Sequence, residues 1–574
     1  MIYIKISVRL IIYAVLFIPP PALFASSPDS SNIKDSSTTK GATIGQIFID
    51  NINVSGPSLQ DGDEWEPGLF GRLGNALHPI TKKSVIKSIL LFKTGDSLSS
   101  WNLSESERLL RKTGYFYDAR IRTENTDNVN RVNVKVVTKD KWTLTPQVSY
   151  NPKDKNGYLG FKDKNFLGLG HTAEADVTYN ENDYIGWGGK SGYTIKNIQG
   201  SFVDASAVIE SNHKSNMFQL NLVRPFFTVK TEWAGGIDFT WQHDDLILIN
   251  PGNKISLIPH SFDSQDLWLG RSFPILFGTK DFRNNSSFIF SGKYFRQHFR
   301  LRPIVLPDSN RIFENNRLYL FSLGLLSRKF YKTFFVDGFG VTEDIPLGGL
   351  ISLTTGSDEG EFYNRWYLGM QLLYSTQITT IGYFSGNFEI GGYHYRNKWE
   401  QSTIKLDFYY HSPLFIRNNW KTRFFLQNNY ILGFERFKGE QIYLDRSNGI
   451  QGFDDPVVPG TKRNVLNLEM RIFSPYSVLG FVIGGITFAN FGLISDANMN
   501  LLSSRLYQGY GFGLRTQNES ISETKFELAL VYNPYHPAYG RGNPEVILSA
   551  SFVLGSRDFN FDEPKTVKFK DDEQ

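Results

Sequence analysis

The sequence predicts a mainly β protein in which a transmembrane β-barrel of about sixteen strands follows one small β-α-α-β-β domain. Three observations lead to this prediction. Aromatic residues make up 15% of the chain, with 47 Phe and 28 Tyr. Apolar and polar residues alternate from Trp142 almost to the C-terminus in segments of about ten residues, the length of a tilted membrane-crossing strand. Beyond the N-terminal leader, helical periodicity is confined to residues 44–141.

Residues 1–25 have the pattern of a secretory signal peptide. Lys5 and Arg9 supply positive charge, residues 10–18 are apolar, and the small residues of "PPALFAS" follow. We therefore expect export, with residues 26–43, which are rich in Ser and Thr, as a flexible linker. The chain has no cysteine, so neither a lipoprotein signal nor a disulfide is expected. Its net charge of +4 is small for 574 residues and does not favour a nucleic-acid partner.

The small domain is predicted over residues 44–141. An alternating strand, "IGQIFIDNINV", is followed by "PITKKSVIKSILLF", in which Pro79 suits a first helical turn and apolar residues recur at helical spacing. A capping box at Asn102 and Glu105 predicts the start of a second helix, and Gly114 suits its C-terminal cap. Two further alternating stretches predict a β-hairpin.

Residues 142–555 are predicted to form the barrel. In "IKLDFYYH", residues 404–411, the even positions are apolar or aromatic while Lys405 and Asp407 are odd, and "NVLNLEMRI" shows the same parity. Such alternation gives a strand one apolar and one polar face, which fits either a soluble sandwich or a membrane barrel whose apolar face meets lipid. We favour the barrel because the β region is continuous, whereas a soluble sandwich of this size would split into domains.

Several short motifs carry a resemblance to a known group of proteins. They are "GD" at 95–96, "LLRKTGYFYDARI" at 109–121, "KNFLGLG" at 164–170, "LVRPFF" at 222–227, "IQGF" at 450–453, "LNLEMR" at 466–471 and "FANFG" at 488–492. In this order and spacing they resemble the outer-membrane assembly and secretion barrel superfamily, which includes the bacterial surface antigen family, the Bam barrel subunit and two-partner-secretion transporters. The resemblance covers roughly residues 44–555 and implies that residues 44–141 form one periplasmic polypeptide-transport-associated domain.

The same resemblance implies a loop that folds back into the barrel lumen. It assigns the loop tip to Ile450, Gln451, Gly452 and Phe453, and its partners on the barrel wall to Asn490, Glu469 and Gly492. Gln451 stands where the family has Arg, and Asn490 stands where it has Asp, so an amide–amide contact replaces the family's ion pair in this expectation. Without the resemblance, the better interpretation of "SNGIQGFDDPVVPG" is an ordinary surface loop.

Two features of the barrel ends suggest a weak seam where the barrel closes. Pro146 in the first strand lacks a ladder donor, and Ser549 lies at the centre of the last strand. Phe552 and Leu554 resemble an outer-membrane insertion signal. A seam built from two weakly pairing strands could open sideways, although ordinary closure at this point stays an alternative. Residues 556–574 are predicted to be a polar, solvated tail.

The expected function follows from the resemblance. It implies a barrel in the Gram-negative outer membrane that inserts other outer-membrane proteins or translocates a polypeptide. The partners would be unfolded or secreted client proteins, outer-membrane lipid and periplasmic accessory proteins, with no nucleic acid. Clients would be captured by β-augmentation at a sheet edge of the small domain, at residues 131–137 or residues 44–50. A porin-like or structural surface barrel without translocase activity stays an alternative.

The sequence does not predict an enzyme. His243 stands beside Asp244, and His411 beside Ser412, but adjacent residues on a strand point to opposite faces and cannot simply act together. No metal-ligand spacing and no cofactor motif is evident, so we expect no catalytic residues, no metal and no cofactor.

Overall fold

The computed structural model of the chain describes residues 41–57, 59, 69–128, 130–151, 156–180, 186–212, 215–250, 254–306, 313–437, 439–446, 449–453, 458–478, 481–518, 526–537, 540, 542–549 and 560–570. The predicted signal peptide, the linker up to residue 40, Phe552 and Leu554 lie outside these residues. In the part of the chain that the structure describes, no helix is long and apolar enough to cross a membrane.

A small N-terminal unit, which we call the module, contains a three-stranded sheet and three helices. Its elements are β1 (Thr43–Ile52), α1 (Leu69–Leu77), α2 (Lys83–Ile89), α3 (Ser100–Lys112), β2 (Phe116–Asn125) and β3 (Arg131–Asp140). The sheet has the order β1-β3-β2, with β1 parallel and β2 antiparallel to β3. Helices and sheet enclose a core that includes Ile86, Leu110, Val134 and Val136.

The module differs from the sequence prediction in three respects. It contains the additional helix α1, and α3 is capped by the Ser99 hydroxyl, which accepts from the Asn102 N–H at 3.3 Å, rather than by Asn102. The third difference affects function. Because β3 is the central strand, with β1 and β2 on its two sides, the prediction of a client strand added at residues 131–137 is wrong. Pairing between β1 and β3 joins distant parts of the chain, which local periodicity does not show. Strand β1 remains at the sheet edge.

The rest of the chain forms a closed antiparallel barrel. Its strands are β4 (Leu144–Asn151), β5 (Asn156–Phe166), β6 (His171–Asn180), β7 (Gly186–Ile195), β8 (Asp204–Ser211), β9 (Ser215–Arg224), β10 (Trp233–Asn250), β11 (Lys254–Pro274), β12 (Ser286–Leu301), β13 (Asn316–Thr333), β14 (Glu343–Gly360), β15 (Asn364–Ile378), β16 (Gly382–Tyr395), β17 (Lys398–His411), β18 (Phe415–Arg417), β19 (Trp420–Phe434), β22 (Lys462–Val478), β23 (Phe481–Ser495), β24 (Tyr507–Gln517), β25 (Phe526–Asn533) and β26 (Asn543–Ser549). A short pair, β20 (Ile442–Leu444) and β21 (Val458–Gly460), lies between β19 and β22, and helix α4 (Lys280–Asn285) precedes β12. Each strand pairs with its neighbours in the chain, and β26 lies beside β4.

The two faces of the barrel have the polarity predicted for a membrane protein. In β13, Phe321 is 64% exposed, whereas the adjacent Ser322 is 3% exposed and faces the interior. The Ser322 hydroxyl makes a 2.7 Å hydrogen bond with Thr354 of β14, inside the barrel. Apolar side chains therefore face outward and polar side chains inward, which confirms the barrel and contradicts the soluble sandwich.

The structure does not have the sixteen barrel strands that the sequence predicts. Within the described residues the closed sheet contains twenty-one strands, one of them the three-residue β18 beside β19. The difference arises largely between β4 and β9, where strands of 8 to 11 residues follow one another through short connections. An alternating sequence of this kind does not show where one strand ends and the next begins.

Residues 560–570, which we call the luminal tail, lie inside the barrel. Phe561 is buried among inward-facing side chains of β12 to β15, and Phe569 is buried against Ile431 of β19 and Ile442 of β20. The prediction of a solvated extension is therefore wrong for this segment. The segment is mostly polar, so its composition did not indicate that Phe561 and Phe569 are buried against the barrel wall.

Candidate functional site

The loop tip predicted at residues 450–453 lies in the lumen. We call the end of the barrel at residues 332–344, which contact the module, the module-side mouth, and the opposite end the distal mouth. The connection from β19 to β22 starts at the distal mouth, and β20 and β21 form its stem. Ile450 and Phe453 at the tip are both 0% exposed. They pack in one cluster with Leu444, Val465 and Ile494.

Asn490 of β23 holds the tip through the backbone. The Gln451 N–H donates to Asn490 Oδ1 at 3.3 Å, while Asn490 Nδ2 donates to Asn467 Oδ1 at 2.8 Å. The Gln451 carbonyl accepts from Asn533 Nδ2 of β25 at 2.9 Å. The expected side-chain contact between Gln451 and Asn490 is thus replaced by a side-chain-to-backbone contact. Gln451 Oε1 is buried and, within the described residues, accepts no hydrogen bond.

Glycines allow this close approach. Gly452 has φ +84°, a left-handed conformation, and a Cβ at this position would overlap the Asn533 amide. A Cβ on Gly492 of β23 would lie 3.1 Å from Ile450 Cδ1. Phe453 meets His536 edge-on, with ring centroids 5.1 Å apart. The tip therefore fits the wall through backbone and ring contacts rather than through charge.

The structure brings Asn490 and Gly492 to the tip but not Glu469, which pairs with Arg471 of the same strand, β22. Three residues at the tip were missed: Asn467, Asn533 and His536. Asn467 lies directly opposite Asn490 in the β22–β23 register, so a correct strand alignment could have found it. No local signal distinguishes Asn533 or His536.

At the module-side mouth, the connection from β13 to β14 crosses the lumen. We call residues 334–342 the mouth turn. Val336 and Phe339 of this turn are buried, and Phe339 packs edge-on against Phe473 of β22 with ring centroids 5.4 Å apart. Arg471 Nη1 donates to the Val336 carbonyl at 2.6 Å. The turn therefore bridges two parts of the wall that are several strands apart.

A group of buried charges surrounds the end of the mouth turn. Arg471 and Arg515 are almost completely buried, and each places a guanidinium nitrogen near Asp337 Oδ1, at 3.6 Å and 3.5 Å. Glu469 pairs with Arg471, and Glu527 Oε1 lies 2.6 Å from Arg515 Nε. Three carboxylates thus compensate two arginines, and Asp337 is the carboxylate that comes from the turn.

The module is fixed to the same end of the barrel by charge-assisted hydrogen bonds. Arg111 of α3 donates to both carboxylate oxygens of Asp344 in β14, each at 2.7 Å, and to Glu107 at 2.7 Å. Glu107 also pairs with Lys332 of β13. Arg120 Nη2 donates to the Thr342 hydroxyl at 2.9 Å. These contacts couple α3 to the ends of β13 and β14, and β2 to the mouth turn.

The pKa values of two carboxyl groups in this interface are shifted in opposite directions. Burial alone would raise the pKa of Glu107, but Arg111 and Lys332 outweigh it and hold that pKa below its ordinary value. Burial raises the pKa of Asp118, and Arg120 and Arg111 offset this only in part. Arg111 belongs to the same helix as Glu107, so the charge of Glu107 favours docking through its pair with Lys332 of the barrel.

The early hairpin turn of the barrel, "KNFLGLG", forms a second contact with the module. Asn165 Nδ2 donates to the Thr81 hydroxyl at 2.7 Å, and the Lys82 N–H donates to the Gly168 carbonyl at 2.9 Å. Gly168 has φ +69°, and a Cβ there would overlap the Ile80 carbonyl. The motif quoted from the sequence is thus a docking element between the module and the barrel.

The predicted seam lies between β4 and β26. Pro146 of β4 is paired with Phe161 of β5, and Ser549 of β26 is paired with Glu527 of β25. The two strands are neighbours in the closed barrel. Whether they separate stays a prediction.

A comparison with known protein families identifies the module. Residues 77–140 match the family model POTRA, described as "surface antigen variable number repeat". This match confirms the predicted polypeptide-transport-associated module, which precedes the closed barrel in this chain. No curated protein sequence matches the chain.

Solved structures show only distant similarity. BamA from Haemophilus ducreyi lacking POTRA domains 1–3 is 13% identical, with 88% of this chain and 84% of that chain covered and a TM-score of 0.39. CdiB from Acinetobacter baumannii is 11% identical, with coverages of 88% and 73% and a TM-score of 0.40. CdiB from Escherichia coli is 10% identical, with coverages of 94% and 94% and a TM-score of 0.36. The barrel assignment rests on the strand pairing described above.

Proposed function

We propose that this protein moves polypeptide clients into or across the outer membrane of a Gram-negative cell, with its module in the periplasm. The observation that carries the proposal is the docking of a POTRA-type module at the module-side mouth of a barrel, where Arg111 binds Asp344 of β14 and Glu107 pairs with Lys332 of β13. A module fixed at one mouth keeps a bound polypeptide at the end of the barrel where the lumen begins. The lumen and the barrel wall are the two routes that the polypeptide could then take.

Strand β1 is the proposed client-binding edge. It pairs with β3 on one side. Among the described residues, its opposite side pairs only near its start, where Thr43 and Ile44 contact residues 95–97, and we propose that a client strand adds beyond that point. Phe48 of this strand is an exposed apolar side chain on the module surface. A client strand would gain main-chain hydrogen bonds along β1 and an apolar contact with Phe48.

A porin-like barrel is the weaker proposal, because it requires a lumen open to solutes. In the part of the chain that the structure describes, the mouth turn, the loop tip and the luminal tail all occupy the lumen. A polypeptide-handling barrel that stays closed at rest accommodates these segments. The partners proposed are unfolded or secreted proteins, with outer-membrane lipid around the barrel.

Depletion followed by quantitative proteomics of the outer-membrane and secreted fractions tests the proposal. Broad loss of barrel proteins identifies insertion, and loss of one secreted protein with other barrels intact identifies translocation. Unchanged fractions contradict both. A photo-crosslinking amino acid at Phe48, with the exposed position Lys83 on α2 as a control, then tests the edge. We expect client adducts at Phe48 and none at Lys83.

A further inference from the structure

The luminal tail follows a path along the inner wall from the module-side half of the barrel to the distal mouth. At one end, Asn560 contacts Arg328 of β13, and Phe561 packs near Phe226 in the connection that follows β9. At the other end, Phe569 packs against the distal end of β19, and Lys570 Nζ lies 5.9 Å from the Tyr443 ring of β20. The tail thus crosses the inner faces of the strands from β13 to β19.

Three inward-facing glycines make room for the tail. A Cβ on Gly324 of β13 would overlap the Phe561 ring, and a Cβ on Gly433 of β19 would overlap the Phe569 ring. A Cβ on Gly391 of β16 would overlap the hydroxyl of Tyr367 and would also lie 3.1 Å from Val567 Cγ2. Glycine within a strand weakens it and commonly marks a place where another chain segment approaches closely. Each glycine here lies beneath a different apolar side chain of one short segment.

The wall also binds the tail through polar groups. The buried Tyr367 hydroxyl accepts from the Val567 N–H at 2.7 Å, a contact with the main chain that does not depend on the side chain at position 567. Lys293 of β12 lies 3.0 Å from Glu563, and also 2.6 Å from Asp266 of β11. The Arg436 guanidinium lies over the Phe569 ring at 4.2 Å.

We propose that this part of the wall is a binding site for an extended polypeptide that carries two aromatic side chains eight residues apart, and that residues 560–570 are its resident occupant. The glycines at positions 324 and 433 form the two aromatic subsites, Tyr367 binds the main chain between them, and Lys293 selects an acidic residue near the first aromatic. The tail keeps the lumen closed until another polypeptide replaces it. This inference deepens the proposed function, but its test measures ion flow and does not depend on any client.

The first experiment compares the full chain with a chain ending at residue 555 in planar lipid bilayers. We expect a several-fold rise in conductance after truncation and restored block by a synthetic peptide of residues 560–570. A matched peptide in which Phe561 and Phe569 are replaced by Ser should not block. Unchanged conductance after truncation, or equal block by both peptides, overturns the inference. If the protein transports no client but the peptide of residues 560–570 still blocks the truncated chain, then the proposed function fails and the binding site stands.

The second experiment uses the intact length and does not depend on folding of the truncated chain. The chain has no cysteine, so the pair Gly391→Cys and Val567→Cys introduces the only two thiols. We expect this pair to form a disulfide under mild oxidation, seen as a mobility shift that a reductant reverses. Ser385→Cys with Val567→Cys is the control, because position 385 is on the same face of β16, about 20 Å from position 391. A disulfide in the control but not in the test pair contradicts the path of the tail.

Discussion

Arg111 of the module donates two parallel hydrogen bonds, each 2.7 Å long, to the carboxylate of Asp344 at the start of β14. Asp344 follows directly on the mouth turn, and the same turn reaches the buried arginines of β22 and β24 through Asp337. The mouth turn therefore connects two sets of polar contacts, one with the module and one with the far wall of the barrel. Movement of α3 would be expected to displace the turn that crosses the module-side mouth.

Replacement of Arg111 by Ala should release the module. It leaves Glu107 and Asp344 buried without their guanidinium, a loss of about 3–5 kcal/mol for a buried pair with one partner removed. We expect faster hydrogen exchange in α3 and in the mouth turn, measured by mass spectrometry on the purified protein. Lys135→Ala is the control, because its exposed pair with Asp50 does not contact the barrel and contributes little. Equal exchange in the two variants would contradict the coupling.

Acid should weaken docking through Glu107. Lys332 of the barrel helps to hold the pKa of Glu107 below the ordinary value of 4.5, so its attraction to the ionised carboxylate favours docking well above that pH, and this contribution is lost as the pH falls through the lowered pKa. Asp118 acts in the opposite sense, since its raised pKa makes protonation at low pH favourable in the folded state. Glu107→Gln should therefore exchange faster at neutral pH and change less between pH 7 and acid than the native protein. A native profile that is flat below pH 4.5 would count against this assignment.

The loop tip should not tolerate an isolated charge. Asn490→Asp removes the donor to Asn467 Oδ1 and introduces a buried carboxylate, so we expect a lower temperature for loss of the folded band on heated gels. Gln451→Arg alone should also lower it. The double variant should be more stable than the sum of the two single effects predicts, with a coupling energy of about 0.5–3 kcal/mol. Strict additivity would mean that the side chain of an arginine at position 451 does not reach the carboxylate at position 490.

The sequence predicted those features that depend on neighbouring residues. Period-two alternation in residues 404–411 correctly separated Leu406, which is exposed, from Lys405, which is buried, and the order of motifs pointed to Ile450 to Phe453 as the loop tip. It could not predict contacts between distant segments, such as the pairing of β1 with β3 or the seat of Phe561 on Gly324. In the tail, two aromatic residues among many charges gave no periodic signal, so only the folded barrel shows that they are covered.

The mouth turn should be released by a change at Asp337. Asp337→Asn removes the carboxylate that lies near both Arg471 and Arg515, so two buried guanidiniums would share only Glu469 and Glu527. We expect the turn to leave the lumen. Hydrogen exchange at residues 334–342 should be faster, and the folded, heat-resistant form of the protein should migrate more slowly on gels. Asp281→Asn is the control, because its ion pair with Lys329 is exposed at the same end of the barrel. If Asp337→Asn exchanges like Asp281→Asn, then the contacts of Phe339 with Phe473 and of Arg471 with the Val336 carbonyl hold the turn without the charge.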